Sequence, residues 1–161
     1  MSGEGSSIDE SCPGCGWRLA GGSAGCRASF DELLARDFSE PRYFATHKLL
    51  VDAYVLQHPD DFCRSAKSLA SHLVGLGAVI EASASRARAS EKLRRWLNGD
   101  PGLVKPELPA DRGAITLGDL PRDAPPDEWI AAVRHWAESI WIAYKDLHDT
   151  ARGWARASEA A

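Results

Sequence analysis

The chain has 161 residues, a formal charge of −4 and six tryptophans. That length suits one compact domain with a real core, and the acidic balance offers no strong basic field to draw in nucleic acid or an anionic membrane. No run of about 18 apolar residues is present, which excludes a membrane-spanning helix.

Residues 1–11 are small, polar and acidic and read as a disordered tail. They lack the basic start and apolar centre of a signal peptide, so the expected compartment is the cytoplasm. There the four cysteines, Cys12, Cys15, Cys26 and Cys63, are expected as thiols or metal ligands rather than disulfides.

Residues 12–28 hold the densest chemistry. In Cys12-Pro-Gly-Cys15-Gly16 two thiols stand two residues apart with a glycine after the second, the pattern of a zinc knuckle. Gly16 can take backbone angles closed to other residues, which turns main-chain N–H groups toward the sulfurs. Cys26 follows across a Gly/Ser/Ala loop as a third thiol. Three sulfurs predict a tetrahedral metal site whose fourth ligand comes from elsewhere. A redox pair at Cys12 and Cys15 would normally open a helix in a strand-rich thioredoxin-like unit, and no such unit is visible.

Residues 29–98 read as helices. Ser29 offers an N-cap, and Phe30, Leu33, Leu34 and Phe38 give the first helix an apolar face. Ser39-Glu40-Pro41 starts a second helix that Pro59 stops near His58. It is apolar nearly all round from Leu49 to Leu56, with Lys48 and Asp52 as a thin polar strip that predicts an ion pair, and it belongs in the middle of a bundle. Asp60 or Asp61 can cap a third helix, where Leu69, His72, Leu73, Leu76, Val79 and Ile80 lie along one side. Gly75 and Gly77 permit close approach of a neighbour. The Ala/Ser/Arg-rich stretch after Ala82 ends in Leu93, Trp96 and Leu97 and suggests a further helix. Arg86, Arg88, Arg94 and Arg95 read as its solvated face.

Residues 99–126 hold most of the prolines and form a long connection, with one helical turn expected over Thr116 to Leu120. Asp127 then caps the longest helix, over residues 127–157. Trp129, Val133, Trp136, Ile140, Tyr144, Leu147, Ala151 and Trp154 follow spacings of three and four along it. No alternating strand pattern is apparent. The fold expected is all-α, a single helical domain over residues 12–161 built as a bundle with an N-terminal zinc-knuckle loop.

The chain resembles a bacterial family defined only as a domain of unknown function. The resemblance rests on the knuckle Cys12 to Gly16, on Cys26 followed by Phe30, on Tyr54-Val-Leu-Gln57-His58-Pro59, and on the tryptophan-rich helix from Trp129. It implies a helical fold and a metal site, and carries no activity. Three residues can complete that site: Cys63, His47 and His58. His58 is favoured, because it ends a helix where its ring can reach a loop and because the resemblance places a histidine there. Tyr54, Gln57 and His47 are then expected around it, as pocket residues or as partners of the ligands. With four protein ligands, zinc would be structural. The function expected is therefore an interaction or regulatory module with a protein partner. The alternative is a metal-dependent bundle enzyme, a hydrolase or thiol transferase resembling the DinB-like enzymes, in which His47, His58, His72 and His148 would share a pocket.

Overall fold

The computed structural model describes residues 8–81 and 86–161. Residues 1–7 of the expected tail lie outside that description, as do the side chains of Arg86 and Arg88. Among the described residues the fold is helical, with one two-stranded sheet.

The sheet is a hairpin around the knuckle. β1 (Asp9–Ser11) runs antiparallel to β2 (Arg18–Ala20), with Asp9 opposite Ala20 and Ser11 opposite Arg18. No alternation marks these strands because each has only three residues and faces mostly solvent. The turn between them supplies the pairing. The Cys12 N–H donates to the Trp17 carbonyl at 2.8 Å, and the Gly16 N–H donates to the Cys12 carbonyl at 2.8 Å, with Gly16 at φ +81°. Residues 9–11, expected in the tail, are thereby ordered.

α1 (Gly22–Ser39) begins seven residues before the expected cap at Ser29, so Cys26 lies within a helix and not in a loop. Phe30 and Leu33 are buried as expected, but at the C-terminal end Asp37 turns inward and Phe38 is 71% exposed. The single second helix expected from Ser39 to His58 is two: α2 (Pro41–Phe44), and α3 (His47–Gln57) after a break at Ala45 and Thr46. The Thr46 hydroxyl donates back to the Tyr43 carbonyl at 3.0 Å, a local bond that competes with helix continuation.

α3 is buried on nearly every side and packs against α1 and against two later helices, Ala66–Glu81 and Pro126–Ala143, the central position its sequence requires. α4 (Pro59–Phe62) is a single turn, and α5 (Ala66–Glu81) starts at Ser65, whose hydroxyl accepts from the Ser68 N–H at 3.0 Å. Ser65, and neither Asp60 nor Asp61, therefore caps the long third helix. Gly77 brings α5 against Trp141, where an added methyl group would lie 2.7 Å from the indole. α6 (Arg86–Asn98) adds a small second core in which Leu93 and Leu97 meet Ala70 and Val74.

The connection over residues 99–126 is irregular, with a turn where the Ala124 N–H donates to the Pro121 carbonyl at 3.0 Å and a 3-10 turn at Leu117–Asp119, closed by the Thr116 N–H donating to Asp119 Oδ2 at 2.8 Å. The last helix is divided into α7 (Pro126–Ala143) and α8 (His148–Ala160) by a second 3-10 turn at Lys145–Leu147. Two side-chain bonds hold that break. Tyr144 donates its buried hydroxyl to the Leu56 carbonyl at 2.5 Å, and His148 donates from Nε2 to the Trp141 carbonyl at 2.7 Å. The apolar stripe nevertheless continues through the break: Trp129, Val133, Trp136, Ile140 and Tyr144 are fully buried.

Candidate metal centre

Three separate stretches deliver the candidate ligands. The knuckle between β1 and β2 brings Cys12 and Cys15, the second turn of α1 brings Cys26, and the C-terminal end of α3 brings His58. Their ligand atoms all lie within 4.8 Å of one another, so this Cys₃His group could hold a metal ion. Cys15 Sγ is 3.9 Å from Cys26 Sγ, and Cys26 Sγ is 3.4 Å from His58 Nε2. The sulfur spacing is far beyond a disulfide bond of about 2.05 Å. Cys12, Cys26 and His58 are buried and Cys15 is partly buried.

The imidazole is held in one tautomer. His58 Nδ1 lies 2.7 Å from the Tyr54 carbonyl, which can only accept, so Nδ1 carries a proton. Nε2 then faces Cys26 as a candidate ligating nitrogen, the arrangement in which a metal-bound histidine donates its other N–H to a carbonyl. Tyr54 also stacks its ring on His58, with centroids 4.0 Å apart, and donates its hydroxyl to Cys26 Sγ at 3.6 Å. Phe30 stacks on the far face of the Tyr54 ring at 3.8 Å.

Protons are shared unequally within the group. The hydrogen bond from Cys15 lowers the Cys26 thiol to about 4 against the opposing effect of burial, with help from the Tyr54 hydroxyl. Cys15, the donor in that bond, is raised by it. Burial, followed by the bond to Cys26, raises the Tyr54 phenol. Cys26 is thus disposed toward the thiolate, the form a metal ion takes up.

The other expected site residues lie elsewhere. Cys63 is a fully buried core residue whose thiol burial raises to about 11, outside the cysteine group. His47 is not among the residues around the cluster. Its Nδ1 pairs with the buried Asp37 at 3.1 Å, nearly three helical turns from His58, and its ring stacks on Phe44. Gln57 bonds to loop backbone as expected of it, but the loop is the long connection and not the knuckle. Pairing of Lys48 with Asp52 occurs at 2.9 Å, and Asp52 is only 2% exposed. His72 bonds Asp52, and His148 bonds the Trp141 carbonyl, so the bundle histidines do not converge on a shared pocket. Among the described residues no second group of metal-ligating side chains forms.

Sequence reading missed Gly14. A methyl group there would sit 2.4 Å from His58 Cδ2, so the knuckle passes directly over the imidazole face. The only signal was a glycine at the third position of the Cys-Pro-x-Cys turn. Gly14→Ala is expected to push His58 off the cluster and lower metal affinity by about 10- to 100-fold, checked by chelator competition.

A hydrogen-bonded helical protein with a buried Cys₃His group near its N-terminus is the class this geometry defines. The chain belongs to the family of unknown function DUF5946, whose model matches residues 10–145. Searches of curated proteins and of solved structures found no match. No helix among the described residues is long and apolar enough to cross a membrane.

Proposed function

We propose that this protein carries a structural zinc ion on Cys12, Cys15, Cys26 and His58, and that the helical body it fastens is a cytoplasmic interaction or regulatory module with a protein partner. The observation that carries the zinc reading is the convergence of four ligand atoms within 4.8 Å. A tetrahedral ion with Zn–S bonds of about 2.3 Å needs sulfurs about 3.8 Å apart, close to the 3.9 Å between Cys15 and Cys26. Four protein ligands leave no position for an activated water, which favours a structural ion over a catalytic one. Three thiolates as ligands suit a reducing compartment. Zinc would join the hairpin, α1 and α3 through covalent ligand bonds in addition to apolar contacts such as Phe30 on Tyr54.

The module reading draws on Phe38 and Phe44. Both are exposed, at 71% and 47%, with rings 5.5 Å apart and His47 against them. Adjacent exposed aromatic rings are a usual means of holding a protein partner. Elemental analysis of purified wild type, His58→Ala and Cys63→Ser tests the metal. The expected result is one zinc per chain in wild type and Cys63→Ser and loss in His58→Ala. Iron in place of zinc, or full zinc in His58→Ala, would reject the assignment.

A further inference from the structure

Away from the cysteine group, a cleft of about 480 Å³ lies between α5 and α6 beside the start of α3. That size falls in the range of small-molecule sites, roughly 300–1,000 Å³. Lys48, Lys67, His72 and Arg94 line it, and serine hydroxyls, Ser71 and Ser90 among them, fill the intervals. Among the described residues no carboxylate lines it, although the chain as a whole carries a charge of −4.

Asp52 stands behind the wall at 2% exposure. Its Oδ1 accepts from His72 Nδ1 at 2.8 Å and its Oδ2 accepts from Lys48 Nζ at 2.9 Å. A buried acid thus fixes two cleft residues from the rear. With Nδ1 engaged, Nε2 of His72 has no partner among the described residues. Lys67 donates to the neutral Asn98 Oδ1 at 3.1 Å, which spans α5 and α6. Neither Lys67 nor Arg94 has a carboxylate partner among the described residues, whereas Arg95, next along the helix, pairs with Glu91 at 3.2 Å.

We infer that this cleft binds a small molecule bearing a phosphate monoester. Lys67 and Arg94 leave more positive charge than a single carboxylate would balance. Ammonium, guanidinium and hydroxyl groups offer donors from several directions, which suits a tetrahedral dianion with three terminal oxygens. The remaining volume, floored by Leu93 and Leu97, takes the organic part of the ligand.

Phenyl phosphate, added to the full-length protein and followed by amide NMR, tests this. Saturable shifts are expected at Ser71, His72 and Ser90. Lys67→Ala and Arg94→Ala, both at exposed positions, are each expected to weaken binding about ten-fold, while Arg95→Ala leaves it unchanged. Benzoate should bind at least about ten-fold more weakly than phenyl phosphate. Absence of saturation by about 10 mM, equal effects of Arg94→Ala and Arg95→Ala, or equal binding of benzoate would overturn the inference.

Discussion

On the proposed zinc assignment, Cys26→Ser is expected to strip the ion from the protein and release the N-terminal hairpin from the bundle. Cys26 is fully buried and touches Cys15 Sγ, His58 Nε2 and the Tyr54 hydroxyl, so it sits at the centre of the group. A serine oxygen is shorter and harder than sulfur, and its proton is not surrendered at neutral pH. The hairpin has little to replace the lost ion. Asp9, Glu10 and Ser11 are all exposed, and its strands are three residues long. Structural zinc in small domains supplies about 10 kcal/mol or more, a quantity such a hairpin cannot recover from its own core. The contacts of α3 with α5 and α7 do not pass through the metal and should persist. Hydrogen exchange should therefore show lost protection at Cys12, Gly16 and the two strands, with slower exchange retained in α3 and α7. Cys63→Ser is the control. It too is fully buried, but it buries only an extra hydroxyl, at about 1–3 kcal/mol, and should keep its zinc. Zinc retained by Cys26→Ser, or lost by Cys63→Ser, would contradict the assigned ligands.

The candidate site was legible because its signals are local. Cys-Pro-x-Cys-Gly is a turn in itself, and a histidine just before Pro59 must end its helix. What no local signal carried was the surroundings of the group. The segment Gly22-Ser-Ala-Gly25 reads as loop by propensity, yet it is helical because Gly25 lets α1 close on the Ala20 carbonyl, 2.1 Å from where a methyl group would stand. Packing overrides propensity there. The inversion at Asp37 and Phe38 is similar. Burial of Asp37 depends on His47, ten residues away, whose imidazole bonds its Oδ2. Burial raises the Asp37 carboxyl even so. Periodicity alone placed Phe38 in the core, since it contains no information about that pair. In the last helix the three-and-four spacing was correct for burial and silent about continuity. The break depends on Tyr144 reaching Leu56 in another helix. Long, strongly apolar stripes such as Trp129 to Tyr144 were the most readable parts, because no other arrangement removes so many aromatic rings from water.

Gln57→Leu should lower stability by roughly 3–5 kcal/mol and leave the proposed zinc site unchanged. The Gln57 amide is fully buried and joins three elements. Its Nε2 donates to the carbonyls of Arg112 at 3.0 Å and Ile115 at 2.7 Å in the long connection, and its Oε1 accepts from Trp136 Nε1 of α7 at 3.2 Å. Leucine fills a similar volume and offers none of these bonds, so the buried Trp136 N–H loses its partner at about 1–3 kcal/mol and each of the two partly buried carbonyls at about 1 kcal/mol. At about 2–4 °C per kcal/mol for a chain of this size, the melting temperature should fall by roughly 10 °C. None of these bonds reaches the cysteines, which is why metal content should not change. Gln57→Glu separates the two halves of the amide. Its carboxylate can still accept from Trp136, but it turns a second oxygen toward two carbonyls. Burial and that repulsion raise the carboxyl pKa in the folded protein. A folded-state pKa above the unfolded value makes stability greatest in acid and loses it as pH rises through the folded pKa. Gln57→Glu should thus recover toward wild type as pH is lowered toward 5, whereas Gln57→Leu should stay equally destabilised across that range. Thermal melts at several pH values, with zinc counted alongside, read both. Wild-type melting in Gln57→Leu, or loss of its zinc, would mean that the amide does not brace the connection against α7 independently of the metal.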